Sequence, residues 1–346
     1  MTAMLDDLKY IHQKDKQDAL GVVGGQWKQL LHNFDVAFEQ KDAVHNVVLG
    51  GMGGSALYAV FLSSWPGLAV PFEIVRNYSL PSYVNGNTLF IASSYSGNTE
   101  ETLSALDDAE QRGAQIAVFA AGGKLVERAK RSNYPLFHIP GGIQPRMSSF
   151  YFLSASLQLL EALGLVPQGS LQEMREAGEW VGGQVDAWEP TVPTEKNPAK
   201  RLALELMGKS VVVYSGPKLA PAANKWKICI NENAKNVAWW NQLPEFNHNE
   251  FIGWSSHPIS KPYAVIELRS RLEQPRVQKR FEVTERLLSG KRPAPEVVEV
   301  MGDTIPRQLL WAAIMGDFTS LYLALLNGLD PTPVDLVEKL KLELDK

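Results

Sequence analysis

Two short apolar runs in this chain end abruptly in turns made almost wholly of glycine and hydroxyl residues. Residues 46–49 run into Gly50-Gly51-Met52-Gly53-Gly54-Ser55-Ala56, and residues 88–93 run into Ser94-Tyr95-Ser96-Gly97-Asn98-Thr99 followed by Glu100 and Glu101. An apolar run of this length that passes through a tight turn into a helix-length segment reads as a strand of a parallel sheet covered on both faces. Further runs at 71–76, 115–120 and 134–139 continue the rhythm, with helix-length segments at 100–112 and 124–130 between them. The pattern predicts an α/β fold.

The rest of the chain repeats the style. The first 45 residues read as helix broken at Gly21, Gly24 and Gly25. Residues 150–163, rich in Leu, Ala and Ser, read as a buried helix closing the first domain. Residues 168–191 read as helix plus linker, with Glu189-Pro190 and Pro193 near its end. A boundary near residue 185 gives an N-terminal domain of 1–185 and a C-terminal domain of 186–346. In the second domain strands are expected at 209–215, 263–268 and 296–300. Helices are expected at 198–207, 221–239 (around the polar centre Asn231-Glu232-Asn233-Ala234-Lys235-Asn236), 274–288, 305–326 and 333–344. Two domains, each a mostly parallel sheet flanked by helices, suggest a duplicated α/β unit.

Charge and cysteine content remove several function classes. Lys plus Arg number 34 against 38 Asp plus Glu, a formal net charge of −4, which offers no basic footprint for nucleic acid. Cys229 is the only cysteine, so no intrachain disulfide can form, as suits a reducing compartment. The start of the sequence lacks a basic segment followed by an apolar core, and no run of 18 apolar residues occurs; a cytoplasmic protein without a membrane span is expected. The six histidines form no His-Glu-x-x-His cluster, and no metal or other cofactor is expected.

The two turns carry the strongest chemical signal. The glycine turn lets backbone N–H groups approach a ligand, and a helix starting near Ser55 adds its positive end. The second turn offers hydroxyls and N–H groups at another helix start, donors suited to a phosphate dianion. Gly53, Gly54, Ser55, Ser94, Ser96 and Thr99 are therefore the candidate phosphate-binding residues. Neither turn has the dinucleotide spacing or a Walker lysine. Plain readings stand beside this one: a ligand-free turn at Gly53, and Thr99 serving only as a helix cap. Two such turns at the carboxyl ends of neighbouring strands point to one crevice, where open α/β sheets place their ligands.

GMGGS followed by SSYSGNTEET resembles the sugar isomerase (SIS) domain, a phosphosugar-binding α/β module. Further motifs narrow the match: Gln144-Pro145-Arg146, Asn231-Glu232-Asn233-Ala234-Lys235, Leu243-Pro244-Glu245 with Asn247-His248-Asn249-Glu250, and a final DPTPV…LK. Together, from about residue 40 to the end, they resemble the bifunctional phosphoglucose/phosphomannose isomerase family. The resemblance implies metal-independent interconversion of glucose 6-phosphate and mannose 6-phosphate with fructose 6-phosphate through a cis-enediol.

It also assigns roles. Taken alone, Glu232 suits a proton-transfer base or equally an exposed helix position beside Lys235; the resemblance implies the base. His248 could be merely exposed, or could shuttle a ring-oxygen proton near neutrality; the resemblance implies ring opening, in the active site of a partner subunit of a homodimer. Arg146, expected on the rim of the crevice, could make a salt bridge or hold a developing oxyanion; the resemblance implies the latter. It also implies that Lys341 acts at the ring oxygen. The sequence departs from the family pattern at Met147-Ser148-Ser149-Phe150 and at Ala56, which bears on pocket shape. Two other readings remain: a non-catalytic phosphosugar-binding or regulatory protein, which need not keep Glu232, His248 or Arg146, and an isomerase for another sugar phosphate.

Overall fold

The structure is a computed structural model and describes residues 2–38, 42–256 and 261–344. The chain begins with short helices α1 (Thr2–Asp6), α2 (Leu8–Lys14) and α3 (Ala19–Gly24). It divides into two compact units, one comprising Gly25–Trp180 and the other Met1–Gly24 together with Val181–Lys346.

The Gly25–Trp180 unit holds strands β1 (Asn46–Gly51), β2 (Phe72–Val75), β3 (Thr88–Ser94), β4 (Gln115–Ala120) and β5 (Leu136–His138). They form one sheet in the order β2-β1-β3-β4-β5, and every pairing is parallel. β3 and β4 are buried along their whole length, which is why their sequences are continuous apolar runs rather than alternating ones. Between and after the strands lie α4 (Gly54–Leu62), α5 (Glu100–Gln111), α6 (Gly123–Ser132), α7 (Ser149–Ala162) and the first part of α8 (Ser170–Val185), which runs on into the other unit from Val181. Ala105, Leu106 and Ala109 of α5 pack with Leu125 of α6 onto Phe90 and Val118. Elsewhere in this unit Tyr58 stacks on Phe152 and Phe119 meets Phe137 edge-on, at centroid distances of 5.2 and 4.8 Å. The strand order reverses direction between β1 and β3, so the crevice of this sheet opens where the two polar turns leave it.

The other unit adds α9 (Pro198–Leu206), β6 (Ser210–Ser215), α10 (Ala220–Glu232), β7 (Ala238–Gln242), α11 (Glu250–Gly253), β8 (Tyr263–Arg269), α12 (Pro275–Leu288), β9 (Glu296–Glu299), α13 (Ile305–Leu326) and α14 (Asp335–Leu344). Its sheet runs β7-β6-β8-β9, again all parallel. The expected helix over 221–239 is corrected here: it stops at Glu232, and 238–242 form the edge strand β7, paired with β6 from Val211↔Ala238 to Ser215↔Gln242. Polar side chains end the helix. The Asn231 side chain accepts from the N–H of Ala238 at 2.9 Å, Lys235 takes a left-handed φ of 50°, and Asn236 donates to Lys209 O at 2.8 Å. Such side-chain bonds offer the backbone an alternative to helix.

The N-terminal helices, expected with the first domain, pack instead in the unit that holds the C-terminal half. Tyr10 donates its hydroxyl to Leu325 O at 2.7 Å, and Lys14 reaches Gly328 O at 2.9 Å. The Asp6 carboxylate accepts from both the N–H and the hydroxyl of Thr194, each at 2.8 Å, and from the fully buried Lys200 at 3.2 Å. By length and composition α13 could cross a membrane, but its apolar window is 100% buried inside the protein. It is the core helix of its unit, and Trp226 of α10 lies against Gly316 on it, donating to Ala312 O at 2.7 Å.

Candidate functional site

Gly53 precedes α4 with φ 50° and ψ −129°, a conformation that L side chains rarely adopt. Gly54 is required for another reason: a Cβ there would lie 2.6 Å from Arg146 N and 2.7 Å from Pro145 C. The glycine turn thus admits the backbone of the Arg146 segment, which sits on a 3-10 turn, Pro145–Met147. Arg146 is buried, 2% exposed, rather than on a rim, and its Nη1 donates to Gln144 Oε1 at 3.4 Å.

β1 and β3 are direct neighbours, with Gly51 opposite Ser93, and hydroxyls stitch their two turns together. The Ser93 hydroxyl donates to Ser55 O at 2.7 Å, and Tyr95 N donates to Ser55 Oγ at 2.8 Å. The Tyr95 hydroxyl in turn accepts from Ile143 N at 3.1 Å, fixing the approach to Gln144. Ser94, buried, accepts from Gly97 N at 3.1 Å and shares a hydrogen bond with Thr99 Oγ1 at 2.7 Å. Ser96 Oγ, on an exposed residue, accepts from Asn98 N at 3.3 Å. Gly97 has φ 69°, and a Cβ there would collide with Gly122 O at 1.8 Å, so this turn and the start of α6 are packed backbone to backbone. Asn98 caps the neighbouring helix by accepting from Lys124 N at 3.0 Å.

Thr99 occupies the N-cap position of α5 but makes no side-chain capping hydrogen bond, since its hydroxyl is turned to Ser94. The plain capping reading of Thr99 therefore does not hold. Ser55, Ser94 and Thr99 hold the turns together through their hydroxyls, while Ser96 is exposed ahead of the first turn of α5. A helix start with no side-chain cap leaves its first N–H groups without partners on the N-cap side chain. The structure brings all six phosphate candidates and Arg146 into this one unit.

The other candidates lie in the second unit. Glu232 is the last residue of α10 and half-buried. Its neighbours in the motif have structural tasks: Asn233 donates to Ser320 Oγ at 2.8 Å, and Lys235 donates to Asp330 O and Pro331 O at 3.0 and 2.9 Å. One turn back, a buried polar seam joins α10 to α13. Lys225 pairs with Asp317, and the Cys229 thiol donates to the same carboxylate at 2.9 Å. Burial first, and then the Asp317 charge, push the Cys229 thiol up, the setting of a structural cysteine. This seam was not singled out from the sequence, although Lys225, Cys229 and Asn233 recur every fourth residue along an otherwise apolar helix face, and Asp317 is a lone carboxylate inside an apolar run.

His248 is exposed at the end of a 3-10 turn, Glu245–His248. The residues beside it are pinned. Asn247 donates to Thr284 Oγ1 at 2.9 Å, and Glu250 accepts from the Tyr214 hydroxyl and from Asn241 at 2.7 Å. Lys341 is exposed on α14 and pairs with Glu338 at 2.8 Å. Among the described residues no group of three or more His, Cys, Asp or Glu side chains could hold a metal ion.

Residues 195–344 match the family described as bacterial phospho-glucose isomerase C-terminal SIS domain. The chain is 36% identical to a bifunctional phosphoglucose/phosphomannose isomerase of Caldicellulosiruptor bescii over 90% of this chain and 93% of that protein. It is 34% identical to the protein of the same name from Aquifex aeolicus, over 87% and 90%. A solved structure, a glucose-6-phosphate isomerase like protein from Thermus thermophilus, superposes with a TM-score of 0.65 at 18% identity, covering 96% of this chain and 99% of that one; at that identity the likeness speaks for the fold.

Proposed function

The chain belongs to the bifunctional phosphoglucose/phosphomannose isomerase family, and from that premise we propose that it interconverts glucose 6-phosphate and mannose 6-phosphate with fructose 6-phosphate. The observation that carries the reading is the start of α5. Its N-cap residue Thr99 bonds Ser94 instead of capping, which leaves the first N–H groups of the helix to a ligand, and the exposed Ser96 stands in the same turn, a receptor for a phosphate dianion that needs no cation.

With the phosphate held there, the chemistry is proton transfer. His248 exchanges the ring-oxygen proton as the ring opens, with Lys341, released from Glu338, at the same oxygen. Glu232 takes the proton from C2, and the electron pair moves through the C1–C2 bond onto the carbonyl oxygen. Arg146 opposes the negative charge that grows there. The hydroxyl proton on O2 passes to O1, and Glu232 then returns its proton to C1 as the carbonyl forms at C2. Carbon 2 is planar in the enediol, so two aldoses that differ only at that carbon share one intermediate. No electrons leave the substrate, and no redox partner is consumed.

We also propose that the enzyme is a homodimer in which His248 serves the partner's site. The support is that His248 projects from a pinned turn into solvent on its own subunit. Mixing inactive Glu232→Gln and His248→Ala chains then restores one intact site per mixed dimer, about a quarter of wild-type activity after random exchange; no recovery contradicts the shared site.

The decisive assay uses chelator-treated protein with glucose 6-phosphate and, separately, mannose 6-phosphate, following fructose 6-phosphate. Turnover of both is expected. Binding of either without turnover would leave a phosphosugar-binding protein and remove the catalytic roles.

A further inference from the structure

The two sheets can be laid on each other by register. Asn46 pairs with Thr88 and Gly51 with Ser93 in the first; Ser210 pairs with Tyr263 and Ser215 with Leu268 in the second. β1 then corresponds to β6 and β3 to β8. The loop from Ser94 to Glu100 has the same length as the loop from Arg269 to Pro275. By position Ser96 corresponds to Arg271, Asn98 to Glu273, and Thr99 to Gln274. The second unit therefore has a crevice of the same topology as the phosphate crevice.

Its contents differ. Glu273, 5% exposed, projects across the crevice and accepts from Lys218 N at 2.7 Å on the turn after β6. Burial pushes its carboxyl above the usual range, and the N–H and charge of Lys218 and the backbone N–H groups of Gln274 and Leu219 work against that shift. A Cβ on Gly216 would lie 2.4 Å from Glu273 Oε1, so the glycine is what admits the carboxylate. Lys218 Nζ donates to Leu272 O at 2.7 Å, tying the two loops together. The N-cap Gln274, unlike Thr99, does cap its helix, accepting from Arg276 N at 3.0 Å.

We propose that Glu273 is an internal anion that fills the second crevice, so that each chain binds a single phosphate. The proposal rests on the reading of the first crevice as the phosphate site. The Glu273 carboxyl takes the backbone donor and the space on the turn after β6 that a phosphate oxygen would use, so a second anion finds them filled.

The test counts inorganic phosphate bound per full-length chain by equilibrium dialysis. Wild type is expected to bind one equivalent. Glu273→Ala, which removes the carboxylate, is expected to bind a second, as is Gly216→Ala, whose methyl group displaces the Glu273 side chain from a backbone already extended at φ −81°. Glu273→Gln, which keeps the shape, is expected to stay at one. The double variant Ser96→Ala/Thr99→Ala tests the first crevice separately: loss of the wild-type equivalent there, with the gain in Glu273→Ala retained, is the expected pair of results. Two equivalents on wild type, or no gain in either opened variant with its fold intact by circular dichroism, overturns the proposal. An equivalent on wild type that survives the double variant overturns the reading of the first crevice instead.

Discussion

The two units share the order of four strands and the register of the central pair, yet the turns that follow that pair differ in content. In the first, the polar residues cluster where β1 and β3 end, the place the topology reserves for ligands. In the second, that end is taken by Glu273 and its capping neighbours, and Glu232 sits at the C-terminus of α10, beside the start of β7. A duplicated scaffold thus need not duplicate its site. Topology provides a crevice, and a few loop residues decide whether it receives a ligand or is closed by the chain itself. In the second unit a buried seam ties α10 to α13 one turn before Glu232 at the helix end.

The largest test of that contrast is Glu232→Gln. Loss of a positioned base should lower kcat by about 10³-fold with little change in melting temperature. A drop of less than tenfold would remove Glu232 from the proton transfer. Lys225→Met comes next and probes the seam. Leaving Asp317 buried without its cation should destabilise the protein by about 3 kcal/mol, read by chemical denaturation; a neutral result would mean that the seam does not hold α10. Thr99→Ala addresses the other unit. It should raise KM by about tenfold with kcat nearly unchanged, the converse of Glu232→Gln, and an equal fall in kcat would blur the division of labour.

The smallest effect concerns α1. Burial works against the Asp6 charge, but the hydroxyl and N–H of Thr194 and the Lys200 ammonium outweigh it and hold its carboxyl below the ordinary value. A depressed carboxyl contributes stability above its unfolded pKa and loses it as pH falls through the folded one. Asp6→Asn should therefore cost less than about 1 kcal/mol at pH 7, because the side chain is 38% exposed, and less still at pH 3. A cost that grows on acidification would reverse the assignment.

Much of the scaffold was legible because buried parallel strands write themselves as unbroken apolar runs, as in Val47-Val48-Leu49 and Phe90-Ile91-Ala92. β7 escaped because an edge strand is only half covered: Trp239 is exposed, and the preceding Asn-rich turn reads as helix. The docking of α1–α3 was hidden for another reason. Asp6 and Lys200 meet across 194 positions of sequence, and no local pattern encodes such a contact. In the site, residue types and turns could be read, but burial and partners could not. That Gly54 makes room for Arg146, that Thr99 turns from its helix to Ser94, and that Glu273 closes a second crevice are facts of packing.

The central claim is that Glu232 carries the proton at C2, and hydrogen exchange tests it most directly. Glucose 6-phosphate incubated with enzyme in D₂O should gain deuterium at C2 with wild-type protein. With Glu232→Gln it should gain none, while still binding with wild-type affinity. Deuterium incorporation by Glu232→Gln at the wild-type rate would contradict the account, because the proton would then be moving through another group.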